Sequence, residues 1–383
     1  MTLLVAIVVY LAFFSMGLPD SMIGAAWPSI YPQFGVPVAS AGGITLLTTA
    51  GTVLAALGAN TLTHRLGAWR LTVLSTALTA LALAGFALAP GYIALCCCAL
   101  PLGLGAGAID AALNNYVALN GTSRQMSWVH VAWGIGATTG PCLLGWCLMR
   151  GNFWQGGYWC VAALQTLMVG VLFCSRPWWK KEALTSGGRE VVTTREALRL
   201  KGVGWALSGL FAMQGLEFCA GIWAGSYFHL VGGLSAAAAA KWAALFYGGM
   251  TVGRFFAGFV ADRLGDRWML RLGSVCVFIG VIALLFAGNN GQRIAGMAFV
   301  GLGVAPLFPC FLHATPTHFG ARYTQAVMGL QMACAYTGAA VMPPLLGIVA
   351  QQTSMAVYPC FLGGFLLTMV LALRMLYRAR SHS

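Results

Sequence analysis

Three carboxylates lie inside long apolar stretches of this sequence: Asp20, Asp110 and Glu217. The whole chain has only eight acidic residues, so these three are a large share of its negative charge. An ionisable side chain near the centre of a bilayer costs several kcal/mol unless it faces water or a partner. The pattern therefore predicts a water-accessible path through a helical bundle, in which these carboxylates bind a polar solute or carry a proton.

The composition indicates that lipid is the solvent for most of the chain. Of its 383 residues, 59% are hydrophobic and only 8% are charged, whereas a soluble domain carries about 25% charged residues. The first apolar run has no charged leader and no small-residue cleavage site, so we expect a spanning helix there and not a signal peptide. The twelve cysteines include no CxxC pair, and we expect no metal site, disulfide framework or cofactor.

Twelve stretches reach the roughly 20 apolar residues that a spanning helix needs. With the N-terminus inside, seventeen of the 21 Lys and Arg residues fall in inner loops and the C-terminal tail, as the positive-inside rule requires. This placement accounts for the net charge of +13 without a nucleic-acid partner. We therefore expect an all-α membrane protein of twelve transmembrane helices with both termini in the cytoplasm. The predicted spans are 3–30, 40–62, 70–89, 92–119, 126–149, 153–175, 203–231, 236–260, 268–288, 291–313, 323–350 and 354–377.

The longest hydrophilic stretch divides these helices into two sets of six. It runs from Arg176 to Lys201 and holds seven of the 21 basic residues. We expect a six-helix bundle over 1–175, a cytoplasmic linker over 176–202 and a second six-helix bundle over 203–383. A surface helix on anionic lipid is the alternative to a plain linker.

The two sets of helices repeat each other at a constant offset of 198 residues. One constant offset in four helices indicates duplication, and duplicated halves with a solute site between them are a transporter architecture. The carboxylates are not repeated, because Phe218 and Phe308 stand at the positions that match Asp20 and Asp110. The matching pairs include Gly17 with Gly215, Arg65 with Arg263, Gly67 with Gly265, Gly103 with Gly301 and Gly140 with Gly338.

The loop between the eighth and ninth predicted spans reads GFVADRLGDR over 258–267. This sequence closely resembles the loop signature of the major facilitator superfamily. In that family's pattern a glycine allows close helix packing, and an Asp and an Arg pair to latch the inner face. The copy in the first half has His64 in place of the acid, which leaves that latch incomplete or titratable near neutral pH. The gating residues that the resemblance implies are Gly258, Asp262, Arg263, Gly265, Arg267 and Arg65.

Four short segments are similar to the fucose–galactose–glucose:proton symporters of that superfamily. They are Leu18-Pro19-Asp20-Ser21, the helix-4 sequence GAIDAALNNYV over 107–117, Gly215-Leu216-Glu217 and Gly253-Arg254. One departure is Asp110, which stands where the fucose permease of that family has Glu. The resemblance implies a symporter of the bacterial inner membrane that imports a monosaccharide together with protons.

The residue types suggest how a solute could be held. Asp110 and Asn114 share a helix face, and a carboxylate beside an amide can bind sugar hydroxyls. A polar clamp between helices is the alternative for this pair. Trp223 and Tyr227 offer aromatic faces to a sugar ring, and Gly221 leaves room for one, unless these aromatics form a lipid belt. The candidate solute-binding residues are Asp110, Asn114, Asn115, Trp133, Glu217, Trp223, Tyr227 and Gln331.

Asp20, Asp110 and His130 are the candidates for carrying a proton. Asp20 follows Pro19, which removes a helix hydrogen bond and opens the backbone, and burial favours the neutral form of a carboxyl group. A structural bond to a neighbouring helix is the alternative for Asp20, and His130 is either a relay or a spacer. We interpret Arg254, near the inner loop, as structural.

These features together predict a monomeric secondary transporter in the lipid bilayer. Our leading hypothesis is proton-coupled import of a monosaccharide or similar neutral solute by alternating access. A drug:proton antiporter is the alternative, since it also uses buried acids and aromatic residues. Sodium coupling is equally compatible with carboxylates. The absence of a P-loop, an HExxH motif and a nucleophile elbow argues against an enzyme.

Overall fold

The structure, a computed structural model, describes residues 2–120, 123–151, 153–179, 194–320 and 322–381. The long regular elements in this part of the chain are all α-helices, as the composition predicts. Their bounds are α1 Leu3–Asp20, α2 Met22–Gln33, α3 Ala41–Leu66, α4 Ala68–Leu88, α5 Tyr92–Asn120, α6 Ser123–Gly151, α7 Trp154–Cys174, α8 Thr194–Leu198, α9 Val203–Leu230, α10 Ala236–Leu285, α11 Asn290–Val304, α12 Leu307–His313, α13 Thr315–Phe319, α14 Thr324–Gln352 and α15 Tyr358–Ser381.

Within the described residues, eleven helical stretches are long and apolar enough to cross a membrane. The remaining predicted span, 203–231, corresponds to α9, which is 28 residues long. Gln214 and Glu217 lower the hydropathy of this helix. Nineteen of its residues, Gln214 among them, are nevertheless buried, so most of α9 is surrounded by protein.

The first predicted span is divided into α1 and α2 at Ser21. Pro19 has no backbone N–H, so the helix loses a hydrogen bond just before this point. Ser21 has φ −101° and ψ −7°, and its hydroxyl donates to the carbonyl of Ala137 in α6, 2.6 Å away. Asp20 therefore stands at the C-terminal end of α1, beside an interrupted backbone.

The predicted spans 236–260 and 268–288 form the single element α10, which bends sharply at Gly265. There φ is 73° and ψ is 162°. Gly67, which the repeat matches with Gly265, has φ 78° and ψ 154°. The two loop copies therefore share a backbone conformation that is essentially restricted to glycine.

We predict that Gly265→Ala lowers the thermal stability of the protein. A side chain in this backbone region costs roughly 1–3 kcal/mol. Gly258→Ala is the matched control, because Gly258 is helical and an added Cβ would meet no atom within 4 Å. Thermal unfolding in detergent measures both variants, and equal melting temperatures would contradict the prediction.

The two ends of the bundle differ in charge and in packing. The end that we name the basic face carries Arg65, Arg70, Arg263 and Arg267, and the end that we name the far face carries Gln33, Gly151 and Gln352.

The far face is closed by contacts between the helices that precede residue 180 and those that follow residue 193. An added Cβ on Gly42 of α3 would lie 2.6 Å from the Cα of Pro344 in α14. Gly24 of α2 packs equally closely on the backbone of α9. Beside these contacts, Trp27 of α2 and Trp223 of α9 belong to one buried hydrophobic cluster. The bundle is therefore sealed at its far face.

Candidate functional site

The tight crossing of α1 and α6 places the first carboxylate. A Cβ added to Gly17 would meet the carbonyl oxygen of Trp133, and one added to Gly136 would meet that of Phe14. Because the two backbones touch, the Trp133 side chain reaches the end of α1. Its Nε1–H donates to Oδ2 of Asp20 over 2.7 Å.

Asp20 lines an internal cavity. Its side chain has accessible surface, although protein atoms surround it closely. The Asp110 carboxyl group of α5 is close enough to interact electrostatically with that of Asp20. Among the described residues, no basic side chain forms an ion pair with Asp20. The neutral indole N–H of Trp133 is therefore its observed hydrogen-bond donor.

Asp110 and Asn114 lie on one face of α5, as the spacing predicts. Nδ2 of Asn114 donates to Oδ1 of Asp110 over 2.8 Å. The Asn114 amide oxygen is buried without a hydrogen-bond partner, and the next residue, Asn115, is exposed. Tyr336 of α14 approaches Asp110 from the other set of helices. The carboxylate–amide pair thus holds a buried acceptor, between the two sets, that is unpaired among the described residues.

Arg254 lies in this cavity, in contrast to its predicted place beside the inner loop. It precedes the bend at Gly265 by three helical turns, which is about 16 Å along α10. Its Nη2 is 3.8 Å from Oε1 of Glu217, and its guanidinium carbon is 5.0 Å from the centroid of the Trp133 ring. The guanidinium therefore connects Glu217 of α9 with Trp133 of α6.

Sequence reasoning missed two tyrosines, Tyr247 and Tyr336. The space that we expected Gly221 to leave for a solute is filled by the Tyr247 hydroxyl, which an added Cβ would strike. That expectation is therefore wrong. This hydroxyl lies within electrostatic range of both Asp20 and Glu217. The sequence did contain a signal that could have identified Tyr247 as a cavity residue. Tyr247 and Arg254 are seven residues apart, which places them on the same face of their helix.

Three of the predicted solute-binding residues are used for packing in this conformation. Trp223 is buried and its Nε1 donates to the Pro343 carbonyl over 2.9 Å. Tyr227 is also buried, and its hydroxyl donates to the Leu284 carbonyl over 3.1 Å. Oε1 of Gln331 accepts from the Thr315 hydroxyl over 2.8 Å. Trp223 and Tyr227 are therefore neither in the cavity nor in a lipid belt.

His130 lies between the carboxylates and the basic face. It is exposed, sits one turn before Trp133 on α6, and its ring is 6.1 Å from that of Phe13 in an edge-to-face contact. Asn115, also near the basic-face end of its helix, is exposed as well. The cavity is therefore accessible from the basic face.

The predicted gating residues do not form one cluster in the described structure. Arg65 and Arg263 are exposed, and no helix approaches Gly258. Arg267 packs over the ring of Tyr377, 4.9 Å from its centroid. The side chains of Asp262 and His64 lie outside the described part of the chain.

A different pair joins the loop to α12. Nδ1 of His313 lies 2.8 Å from Oδ2 of Asp266, the residue after the bend in α10. This contact joins the bend of α10 to the C-terminal end of α12.

The cavity thus presents carboxylates, an amide, phenols, an indole and one guanidinium to a common space. Such a set can donate to and accept from several hydroxyl groups at once, and its carboxyl groups can exchange protons. The members of this set are Asp20, Asp110, Asn114, Trp133, Glu217, Tyr247, Arg254 and Tyr336.

The chain is similar to known transporters over nearly its whole length. The glucose/mannose transporter GlcP of Bacillus subtilis is 24% identical over 88% of this chain and 86% of its own. The cis,cis-muconate transport protein of Acinetobacter baylyi is 23% identical over 90% and 87%. The crystal structure of FucP in its outward conformation matches with a TM-score of 0.65 at 15% identity, over 98% of this chain and 99% of that one.

A family model for the Major Facilitator Superfamily matches residues 9–242 and 233–383. Together the two matches include nearly the whole chain and every helix of the cavity. Members of this family are transporters and not enzymes. The chain therefore belongs to the Major Facilitator Superfamily, as a multi-pass membrane transporter that resembles the FucP-like sugar symporters.

Proposed function

We propose that this protein imports a monosaccharide, or a similar neutral polyhydroxy solute, together with protons by alternating access. The observation that carries the proposal is the Asp110–Asn114 pair. Within the described part of the chain, its amide oxygen accepts no hydrogen bond, and the neighbouring carboxyl group of Asp20 takes part in no ion pair. The similarity to GlcP of Bacillus subtilis supports a sugar as the solute.

In this proposal the chain spans the membrane twelve times as two six-helix bundles, 1–175 and 203–383, joined by the linker 176–202. The basic face is cytoplasmic, because positive charge favours that side, and both termini lie there. The shared backbone conformation of Gly67 and Gly265 supports the duplication. The protein acts as a monomer in a bacterial inner membrane.

The geometry supports the following mechanism. Solute hydroxyls bind to Asp110, Asn114 and the exposed Asn115, while Asp20 takes a proton when the cavity opens at the far face. Neutralising Asp20 lowers the cost of enclosing a carboxyl group, which allows the far face to close as in this structure. The proton and solute then leave towards the basic face past His130.

An anionic solute is a second candidate. The position of Arg254 in the cavity favours it, because a guanidinium binds carboxylates in a bidentate manner. The similarity to the cis,cis-muconate transport protein points in the same direction. The carboxyl group of Glu217 already forms an ion pair with Arg254, which offsets part of the positive charge that an anionic solute would need. We therefore rank this solute class second.

The test is the pH change in lightly buffered proteoliposomes when sugars are added one at a time. We expect one sugar to make the external medium alkaline. Asp110→Asn should weaken the response to that sugar by roughly 10- to 100-fold, since hydrogen bonds to charged groups contribute about 1.5–3 kcal/mol. Glu196→Gln is the matched control, because Glu196 is an exposed carboxylate of the short helix α8 and lies outside the cavity.

Other outcomes would replace the proposal. Proton movement with dicarboxylates but with no sugar would establish the anionic solute. Proton movement with lipophilic cations alone would indicate a drug:proton antiporter. An unchanged sugar response in Asp110→Asn would remove Asp110 from the site.

A further inference from the structure

Two cysteines meet across the hairpin that α6 and α7 form at the far face. All twelve cysteines of the chain are free thiols in this structure. The Cys147 thiol of α6 lies within hydrogen-bonding range of the Cys160 thiol of α7, and both residues are partly buried. They are thirteen positions apart and form no CxxC motif, so the packing of the two helices is what brings these thiols together.

The two helices pack closely around this pair. An added Cβ on Gly157 of α7 would lie 3.4 Å from the Cα of Leu144 in α6. An added Cβ on the neighbouring Gly156 would lie 3.8 Å from the Cβ of Cys147. Helix surfaces in such contact hold facing Cβ atoms near the distance of about 3.5–4.5 Å that a disulfide requires.

The direction of the side chains brings the two thiols to a similar depth. The ends of the helices at the far face are Gly151 of α6 and Trp154 of α7. At 1.5 Å per residue, Cys147 lies about 6 Å and Cys160 about 9 Å from these ends. A helical side chain leans towards the N-terminus of its own helix. Because α6 and α7 run in opposite directions, Cys147 leans away from the far face and Cys160 leans towards it, which reduces the difference in depth.

We propose that Cys147 and Cys160 form a reversible disulfide where the far face meets an oxidising compartment. The inference rests on the orientation in the proposed function, with the basic face in the cytoplasm and the far face towards the outside. Thiols are kept reduced in the cytoplasm, whereas disulfides persist outside it. Since α6 and α7 both precede the linker, the bond fastens one set of helices internally and does not tie it to the other set.

The reaction takes a disulfide as its oxidant. One of the two cysteine thiolates attacks a sulfur of a donor such as oxidised glutathione and releases one half of the donor. The second cysteine then attacks the resulting mixed disulfide and releases the other half. The two cysteine sulfurs are oxidised, the donor is reduced to two thiols, and these thiols take up the two protons that the cysteines lose.

Other cysteines that are close in the sequence do not share this geometry. Residues 96–98 are three consecutive cysteines in α5, and adjacent residues of a helix do not face each other. Cys142 lies on α6, five residues before Cys147, is exposed, and interacts with Lys241 of α10. It therefore points away from α7, which makes Cys142→Ser the matched control.

The test treats the purified protein with oxidised glutathione and maps its peptides by mass spectrometry without reduction. We expect the peptides that contain Cys147 and Cys160 to be joined, and both thiols to escape alkylation together until a reductant restores them. Cys142→Ser should give the same linkage. Cys147→Ser should leave Cys160 either open to alkylation or bound to glutathione.

Several outcomes would overturn the proposal. One is that both thiols are alkylated as rapidly after oxidation as before it. Another is that Cys147 or Cys160 is linked to a different cysteine of the chain.

A second experiment adds oxidised glutathione to intact cells, because this charged peptide does not cross the inner membrane. We expect the same linkage, and its formation only in detergent would reject the orientation and with it the modification in the cell. Neither measurement involves a sugar, so a failure of every sugar to move protons would reject sugar import alone.

Discussion

Asp20→Asn will abolish uphill accumulation of solute in proteoliposomes that carry a proton gradient. Asparagine cannot bind or release a proton, yet its amide oxygen can still accept the hydrogen bond from Trp133. The site therefore keeps its shape and loses only its exchangeable proton. A gradient of one pH unit supplies about 1.4 kcal/mol per proton, which supports roughly tenfold accumulation, so we expect the ratio of internal to external solute to fall from about ten to about one.

Two comparisons make this result specific. Asp20→Glu keeps an ionisable group and should retain part of the accumulation. Glu196→Gln removes an exposed carboxyl group of α8, outside the cavity, and should accumulate solute as the wild type does. Wild-type accumulation and solute-linked proton uptake in Asp20→Asn would assign the proton to another group.

Gly136→Val will damage both the stability and the transport of the protein. The position packs against the backbone of α1 at Phe14 and Gly17. Backbone atoms cannot move away by a change of rotamer as a flexible side chain can, so α1 and α6 must move apart. Overpacking of this kind costs about 1–3 kcal/mol or more. The separation also withdraws Trp133 from Asp20, because each residue lies within one turn of the crossing.

Gly170→Val is the matched control for this change. Gly170 lies in α7, and an added Cβ there would meet no atom within 4 Å. Thermal unfolding should therefore show a large loss of stability for Gly136→Val and a small one for Gly170→Val. Similar losses would mean that the cost comes from valine in a helix and not from the crossing.

The spacing of residues predicted the local geometry correctly where all the residues involved lie in one helix or one loop. Asp110 and Asn114 are four apart, and the structure shows the hydrogen bond that this spacing allows. Pro19 removes a hydrogen bond within its own helix, and α1 ends at the next residue. The matched glycines Gly67 and Gly265 adopt the same conformation because each loop copy sets it locally.

Aromatic and amide side chains were harder to place, because the same residue types serve cavities and packed interiors. Trp223, Tyr227 and Gln331 carry polar tips that predict solute contacts. Each of them instead bonds to a protein group within the core. Their burial depends on neighbours from distant parts of the chain, which no local pattern contains.

The sequence by itself indicated the helical membrane class from its composition and the superfamily from the resemblance of one loop, and it placed three carboxylates within long apolar stretches. Only the tertiary structure decided which groups face those carboxylates. The crossing of α1 with α6 sets Trp133 against Asp20, and the contact of α6 with α10 brings Arg254 to the same indole. Residues more than a hundred positions apart meet there, because close backbone approach at glycines fixes the geometry of the helices.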